Sequence, residues 1–467
     1  MKSWLHGVLI LVSYPQGSGV KWMNSADPVK PGNSGMRRVA LASCVGTTIE
    51  FYDFFIYGTA AALVFPKVFF PALGSTGGTV ASFATFAVAF VARPVGAMIF
   101  GHYGDRYGRK RTLIATLLLM GTATVLIGLL PGAATIGIAA PILLVVLRFG
   151  QGLAVGGEWA GATLLAVEYA PPGRRGWYAM FPQLGAPIAL ALSSATFLVT
   201  GLTLGNTDQS FLDYGWRVPF LVSVVLLGAG LYVRSKIAET PVFRQAQGQQ
   251  QLATRAPLRE AFTQAPRQIL LAAGTMTMIF ALFYIGTTYL TSYGTSPKGA
   301  DLSRTLVLSI GIGAGIAMAA GVIASAIAAD RLGRRAVVVL CCGAAVVWSL
   351  LLFPLLSLHS PIAFGISVIV TLALMGLAYG PVGALLPETF PTHFRYTGAG
   401  TSYNMAGIAG GAIPPLIAAP LATAFGSFSI GIMLCALSLL SLLCATALVE
   451  TKDQDLLVLQ PSISARY

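Results

Sequence analysis

Long apolar runs separated by short polar stretches are the main feature of this chain. A helix needs about 20 apolar residues to cross the hydrocarbon part of a bilayer, and runs of this order recur along the sequence. They lie at 39–65, 80–100, 112–130, 142–167, 177–202, 218–233, 269–289, 306–328, 336–356, 362–386, 398–421 and 428–449. The pattern predicts twelve transmembrane helices in two sets of six.

Composition favours a membrane protein. Hydrophobic residues make up 55% of the chain and charged residues only 10%, and the mean hydropathy is +0.76. An ordinary soluble domain has about 25% charged residues, so this chain has too few of them to cover a soluble core. The prediction is an all-α membrane protein whose main solvent is the bilayer.

Basic loop residues lie mainly on one side of the predicted membrane. With a cytoplasmic N-terminus, the outside segments carry only Lys67, Arg217, Lys298 and Arg304, and the other loop bases fall inside. Because loops rich in Lys and Arg stay in the cytoplasm, both termini are predicted to be cytoplasmic, in a multi-pass protein of the inner membrane. The net charge of +13 is then a topology signal, and nucleic acid is not an expected partner.

The predicted organisation has five parts. Residues 1–36 form a flexible leader, 37–234 the N-terminal six-helix bundle, 235–267 a cytoplasmic linker, 268–450 the C-terminal six-helix bundle and 451–467 a short cytoplasmic tail. The leader has alternatives, because the apolar run 4–12 after Lys2 is typical of a weak signal peptide, and Met23 or Met36 could be the true start.

Cysteines and histidines do not indicate a metal site. The five cysteines lie inside apolar runs without ligand spacing, and the four histidines lie at or near the edges of such runs. The cysteines are interpreted as small core residues. Neither a metal nor another cofactor is expected.

The two halves repeat each other. The loop after the second predicted helix reads Gly-His-Tyr-Gly-Asp-Arg-Tyr-Gly-Arg-Lys-Arg at 101–111, and the loop after the eighth reads Asp-Arg-Leu-Gly-Arg-Arg at 330–335. A second match supports the first, since Glu168 and Arg175 follow the fourth helix as Glu388 and Arg395 follow the tenth. Two matches at nearly one offset indicate an internal duplication.

The loop at 101–111 resembles the signature of the major facilitator superfamily, which has the form Asp-Arg-x-Gly-Arg-Lys/Arg. Within the superfamily, the segments 46–58, 148–152 and 156–159 look like those of the metabolite:proton symporter family. That family includes carriers of shikimate, 2-oxoglutarate, citrate, and proline or betaine. Its members usually have Trp where this chain has Phe51. The resemblance covers about residues 37–450 and implies two six-helix bundles that work by alternating access.

In the family, the Asp and Arg of the loop form a charge network that holds one conformational state, which points here to Asp105 and Arg109 with Glu168 as a partner. The full set of predicted gating residues follows from both copies of the loop. It contains Gly101, Asp105, Arg106, Gly108, Arg109, Glu168, Asp330, Arg331, Gly333 and Arg334. An alternative for the three consecutive bases at 109–111 is that they only fix the topology.

Charged residues inside the apolar runs are candidates for proton coupling. Glu50 and Asp53 share one face of the first helix, and Tyr57 lies one turn beyond. Since a carboxylate at mid-membrane costs on the order of 3 kcal/mol or more, it is a functional candidate by default. The predicted set is Asp53, Glu50, Glu158, Arg148 and Arg93. The alternative for Glu50 and for Asp53 is a structural ion pair with Arg93 or Arg148.

Substrate contacts are predicted at polar and aromatic positions that would face a central cavity. The set is Tyr52, Tyr57, Arg93, Arg148, Gln151, Trp159, Tyr284, Tyr379 and Asn404. An arginine can take a carboxylate through two hydrogen bonds, which favours an anionic substrate. For the positions in the C-terminal half, the alternative is a hydrogen bond that packs two helices together.

These features predict a monomeric secondary transporter that imports a small organic acid, such as a shikimate-like or keto- or hydroxycarboxylate, together with protons. The alternative within transport is uptake of an osmoprotectant such as proline or betaine. A membrane enzyme would need a catalytic constellation and a sensor an appended signalling domain, and the sequence indicates neither.

Overall fold

A computed structural model describes residues 33–107, 109–156, 158–168, 170–171, 173–204, 208–236, 257–391 and 394–452. Every regular element in this part of the chain is a helix. Twelve long helical segments can be traced through it, and each overlaps one of the twelve predicted apolar runs. The all-α prediction is therefore confirmed for the described residues.

We number the long segments α1 to α12 in chain order. They are α1 Asn33–Leu63, α2 Gly74–Tyr107, α3 Arg109–Leu129, α4 Ala139–Leu164, α5 Arg175–Thr203, α6 Arg217–Lys236, α7 Pro266–Thr295, α8 Arg304–Leu332, α9 Arg334–Leu356, α10 Pro361–Thr389, α11 Arg395–Phe425 and α12 Phe428–Ala447. A further short helix, Pro257–Gln264, lies within the stretch predicted as the linker.

Ten of the segments in the described part are long and apolar enough to cross a membrane. The other two are α1 and α3. Helix α1 has 31 residues, but Glu50 and Asp53 lower its hydropathy. In α3, the apolar part, Ile114–Leu129, is shorter than the roughly 20 residues that a membrane crossing needs. For these two segments the predicted membrane crossing, and with it the count of twelve, stays a prediction.

The segments alternate in direction, so the bundle has two ends. We call the end at which α6 ends and α7 begins the linker end. At the other end, the Arg217 guanidinium at the start of α6 donates hydrogen bonds to the carbonyls of Gly128 and Leu130, where α3 ends. The linker end is the one predicted to be cytoplasmic.

Small residues allow several helices to approach closely. A Cβ on Gly152 of α4 would come within 2.7 Å of the Cα of Ala89 on α2, and one on Gly315 of α8 would lie 2.9 Å from the carbonyl oxygen of Pro187 on α5. Close backbone packing of this kind is typical of membrane helices. It fixes α2 against α4 within the first half and joins the halves along α5 and α8.

Three segments are irregular near mid-depth. Helix α4 consists of two pieces, Ala139–Val155 and Glu158–Glu168. A π-helical turn at Ile285–Tyr289 interrupts α7, and another at Gly407–Ala412 interrupts α11. Such turns occur frequently at functional sites, and all three interruptions lie close to the polar cluster described next.

Candidate functional site

A small cavity inside the first half is lined by four charged residues of the spans. Its polar lining is Glu50 and Asp53 of α1, Arg93 of α2, and Arg148 and Gln151 of α4. The rest of the wall is apolar and includes Phe54, Met120 and Val155. Four of the five residues predicted for proton coupling therefore lie around one cavity.

Arg148 is buried to 1% exposure among aromatic rings. The centre of its guanidinium lies 3.9 Å from the ring centroid of Tyr57, 4.4 Å from that of Phe54 and 4.9 Å from that of Phe86. Its Nη1 donates a 2.9 Å hydrogen bond to Oε1 of Gln151. Within the described part of the chain, the Nε and Nη2 atoms have no hydrogen-bond partner. One edge of the guanidinium fork is therefore open.

Asp53 is held by a threonine and not by an arginine. The Thr124 hydroxyl on α3 donates to Oδ2 of Asp53 at 3.0 Å, and Nε2 of Gln151 donates to the same hydroxyl oxygen at 2.7 Å. A chain of hydrogen bonds thus connects Arg148 to Asp53. Among the described residues, neither arginine of the cavity forms an ion pair with Asp53, so the alternative of a structural ion pair is not observed for Asp53.

Arg93 lies between two cavities. Its guanidinium centre is 4.5 Å from the ring centroid of Phe90 and 4.8 Å from that of Phe54. Besides the first cavity, it lines a second one that also involves Trp159, Tyr403 and Asn404. Because Tyr403 and Asn404 belong to α11, this second cavity lies at the interface between the halves.

Trp159 connects the halves on the linker side of Arg93. Its ring stacks on that of Tyr403 at 3.9 Å with an interplanar angle of 12°. The indole N–H donates towards Oε1 of Gln183 at 3.1 Å and towards the Tyr379 hydroxyl at 3.2 Å. Nearby, the Asn404 amide donates to the Gly156 carbonyl at 3.2 Å. Three predicted substrate residues are thus brought together, in contacts that also pack helices.

The predicted tyrosines do not all face the cavities. The Tyr52 hydroxyl donates to Thr196 on α5 and towards the Pro219 carbonyl on α6, on a different side of α1 from the cavity. The Tyr57 hydroxyl donates to Thr85 at 2.7 Å, and its ring covers Arg148. Tyr284 is fully buried in an aromatic cluster with Phe54, Phe86, Phe90 and Phe280.

Glu158, the fifth predicted coupling residue, lies on the second piece of α4. It is buried, and its Oε1 accepts a 2.7 Å hydrogen bond from the Thr116 hydroxyl of α3. Thr116 and Thr124 were not among the predicted site residues. The signal that could have found them is their spacing of eight residues, which places two hydroxyls on one side of an apolar helix.

At the linker end, Asp330 joins the halves. Its carboxylate accepts 2.9 Å hydrogen bonds from the backbone N–H groups of Gly176 and Trp177 at the start of α5. Arg334 lies 3.1 Å from the same carboxylate. Between them Gly333 has a φ of 108°, a conformation that favours glycine. The second copy of the loop therefore joins the two halves at this end, and its gating role stays a prediction.

Glu388 extends this network. Its Oε2 lies 3.2 Å from Nε of Arg334 and accepts a 2.7 Å hydrogen bond from the Thr451 hydroxyl, and its Oε1 lies 3.6 Å from Nη1 of Arg175. Glu450 accepts from the backbone N–H groups of Arg334 and of the next residue. The backbone carbonyl of Arg331 accepts from Lys452.

The side chains of the first copy of the loop, at 101–111, lie outside the described part of the chain. Gly108 lies outside the described residues, as do the surroundings of Gly101 and the side chains of Asp105, Arg106, Arg109 and Glu168. Their gating role stays a prediction. Among the described residues, no group of three or more His, Cys, Asp or Glu is placed to hold a metal ion.

Comparison with known proteins covers most of the chain. The family model described as "Major Facilitator Superfamily" matches residues 44–415. The chain is 48% identical over 423 residues to the inner membrane metabolite transport protein YhjE of Escherichia coli (strain K12), covering 90% of this chain and 95% of that protein. It is 41% identical over 427 residues to the shikimate transporter of the same organism, covering 90% and 96%.

Two further similar proteins have names that state other substrates. The chain is 32% identical over 391 residues to the proline/betaine transporter of E. coli (strain K12), with 82% of this chain and 77% of that protein covered. A crystal structure of a D-xylose-proton symporter superposes with a TM-score of 0.70 over 90% of this chain and 99% of that one, at 16% identity. At this identity the likeness bears on the fold alone.

Proposed function

The chain belongs to the major facilitator superfamily and is a multi-pass transporter of the inner membrane, and from this premise we propose that it imports a small organic acid together with protons. The transported anion would bind between the two halves, which open alternately to the two sides. The proton gradient would supply the driving force.

The open edge of Arg148 is the observation that carries this proposal. The Nε–H and Nη2–H groups on one edge of a guanidinium match the two oxygens of a carboxylate. In Arg148 this edge has no partner among the described residues, while Nη1 is held by Gln151. A buried cation with an unused fork is costly, and a substrate carboxylate would remove that cost.

Asp53 offers the link between protons and substrate. The cavity lining contains two arginines, Arg93 and Arg148, and two acids, Glu50 and Asp53, so their formal charges balance when all four are ionised. Burial in apolar surroundings favours the neutral form of a carboxyl group. Protonation of Asp53 would leave one excess positive charge, which matches one substrate carboxylate. Proton and anion binding would therefore assist each other.

Contacts at both ends of the bundle support alternating access. At the linker end, Asp330 binds the start of α5. Towards the opposite end, the rings of Phe55 on α1 and Phe283 on α7 lie 5.2 Å apart, and the Arg304 guanidinium lies 3.8 Å from the ring centroid of Phe211. Opening either side requires one of these sets to separate.

Uptake into proteoliposomes tests the proposal. The parent protein should bind shikimate or 2-oxoglutarate more tightly as external pH falls, and an inward proton gradient should drive accumulation. Arg148→Gln should weaken binding at least tenfold, because the bidentate contact is lost. Arg148→Lys keeps the charge without the fork and should fall between the two. Arg217→Lys, at the end of the bundle, serves as the control.

Two results would overturn the organic-acid proposal. One is an affinity that does not change with pH in the parent. The other is betaine competing better than the organic acids, with Arg148→Gln leaving binding unchanged.

Osmoprotectant uptake is the second candidate, and one observation favours it. Tyr284, Phe54, Phe86 and Phe90 form an aromatic cluster. Phe54 also lines the first cavity with Asp53, whose Oδ1 atom has no hydrogen-bond partner within the described part of the chain. Aromatic faces with a nearby carboxylate suit a quaternary ammonium group. In that case Tyr284→Leu would reduce betaine binding, and a lower pH would weaken it.

A further inference from the structure

Two threonines of α3 each hold a buried acid. Thr124 donates to Asp53 at 3.0 Å and Thr116 donates to Glu158 at 2.7 Å. All four side chains are buried. Eight residues of helix correspond to a rise of about 12 Å, so the two acids are held at clearly different depths along the same helix.

Of the two acids, Glu158 lies nearer to the linker end. Helix α3 begins there at Arg109, so Thr116 lies about two turns from that end and Thr124 about four. The second piece of α4 ends at the linker end with Glu168, about 15 Å beyond Glu158. Glu158 is therefore closer than Asp53 to the side on which an imported proton must leave.

Part of the space between Asp53 and Glu158 belongs to the first cavity, which has polar residues in its lining. Glu50 lies one turn from Asp53 on α1, in the direction of the linker end, and lines the cavity with Asp53. Met120, midway between the two threonines, and Val155, one turn before Glu158, line the same cavity. The cavity thus extends from Asp53 towards the level of Glu158.

We propose that Glu158 is a second proton station, which receives the proton that Asp53 gives up and releases it at the linker end, with Thr116 as its positioning residue. This rests on the proposed proton-coupled import. The O–H bond of Asp53 breaks as its proton passes to water, and that chain of water delivers a proton to the Glu158 carboxylate. Asp53 is then ionised and Glu158 neutral, until Glu158 gives its proton to water at the linker end.

The proposed proton transfer from Asp53 to Glu158 passes through water because the two acids lie at different depths. The threonines that hold the two acids are separated by a rise of about 12 Å along α3, which is far longer than a hydrogen bond of about 2.5–3.0 Å between oxygens. We therefore infer that the proton passes through water beside Glu50 and not directly. With a second station, Asp53 can lose its proton while the substrate is leaving and before the linker end is fully hydrated.

Charged and titratable groups on the neighbouring elements would influence this transfer. In the described parts they include Glu50 and Asp53 on α1, Arg93 on α2, Arg148 on α4, Arg175 and Tyr178 on α5, Tyr379 and Glu388 on α10, and Arg395, Tyr396 and Tyr403 on α11. Arg93 lines the second cavity with Trp159, the residue after Glu158.

Comparing net transport with exchange tests the role of Glu158. Exchange of internal for external substrate at equal pH needs no net proton release, whereas gradient-driven uptake does. Glu158→Gln keeps the shape and can accept the hydrogen bond from Thr116. We expect it to keep exchange and the pH dependence of substrate affinity within about twofold of the parent, and to lower net uptake at least tenfold.

Asp53→Asn should behave differently, because it should remove the pH dependence of affinity. A failure of proton coupling as a whole would appear as parent affinity that does not change with pH. A failure of the second station alone would appear as Glu158→Gln accumulating substrate as the parent does. Loss of exchange in a folded Glu158→Gln protein would place Glu158 in the substrate site and would also overturn the proposal.

Thr116 supplies a second, independent variant. Thr116→Val removes the hydrogen bond at nearly constant volume and should slow net uptake several-fold while exchange stays normal. Thr116→Ser should restore uptake, since it restores the hydroxyl. Thr122→Val, on the exposed side of the same helix, is the control and should have no effect. Equal net uptake in Thr116→Val and Thr122→Val would exclude the positioning role.

Discussion

Oδ1 of Asp330, near the end of α8, accepts a 2.9 Å hydrogen bond from the backbone N–H of Gly176 at the start of α5. The two residues are 154 positions apart and belong to different halves. Because the first N–H groups of a helix carry partial positive charge, a carboxylate placed there is stabilised. The contact therefore ties the halves at the linker end and must break when that end opens.

Asp330→Asn should shift the protein towards the state that is open at the linker end. The amide can still accept a hydrogen bond, but it loses the charge that favours the helix N-terminus. About 1 kcal/mol is expected, which corresponds to roughly a fivefold change in population. In a cysteine-free background carrying Ala384→Cys, a buried position on α10, maleimide should label the variant faster than the parent. Asp301→Asn, in an exposed loop at the other end, should label at the parental rate, and equal rates in all three would contradict the prediction.

Asp53→Asn should abolish gradient-driven accumulation. The carboxamide imitates the protonated acid and can still accept a hydrogen bond from Thr124, so binding should persist while coupling is lost. Accumulation of labelled substrate against its gradient in vesicles, with and without a pH difference, is the measurement. The matched control is Asp213→Asn at an exposed position. Normal accumulation in Asp53→Asn would move the coupling role to Glu50 or Glu158.

Two neighbouring glycines of α4 should differ sharply in their tolerance of a methyl group. A Cβ on Gly152 would meet the backbone of Ala89 and the Cβ of Ala92 at 2.7 Å, whereas nothing lies within 4 Å of a Cβ on Gly150. Gly152→Ala should destabilise the protein by about 1–3 kcal/mol through overpacking. Gly150→Ala should be neutral or slightly stabilising. Thermal unfolding of both variants in the same detergent compares them, and an equal change in Tm would be inconsistent with this packing.

Trp159 should contribute to closure of the interface through two separable contacts. Trp159→Phe keeps an aromatic face for Tyr403 but removes the hydrogen bonds to Gln183 and Tyr379, and Trp159→Ala removes both. An aromatic pair is worth about 0.5–1.5 kcal/mol beyond burial. We therefore expect the labelling rate at the Ala384→Cys reporter to rise from the parent to Trp159→Phe and again to Trp159→Ala. A fall in either variant would argue against an interface role.

The helices themselves followed from local sequence. Predicted runs such as 306–328 and 336–356 agree within a few residues with Arg304–Leu332 and Arg334–Leu356, because the length of an apolar run is set by the bilayer that surrounds it. The second copy of the repeated loop, at 330–335, was also identified from the sequence. Gly333 has a φ of 108°, which favours glycine, and Asp330 accepts a hydrogen bond from the start of α5, where a carboxylate is stabilised.

The sequence also indicated which charged residues would be buried in the spans. A buried acid or base in an apolar helix is conspicuous wherever it lies, so Glu50, Asp53, Arg93 and Arg148 could be named before their positions were known. Helical periodicity placed Glu50 and Asp53 on one face. It could not tell which neighbouring helix that face would meet.

The tertiary structure decided the partners. Asp53 binds Thr124, which is 71 residues away, and Tyr52 is directed towards α5 and α6, although both belong to the same turn of α1. Glu388 joins Arg334 with Thr451 of the tail. The physical reason is that spacing along a helix fixes the relative angles of its own side chains, while the rotation and depth of each helix against the others arise only from packing of the whole bundle.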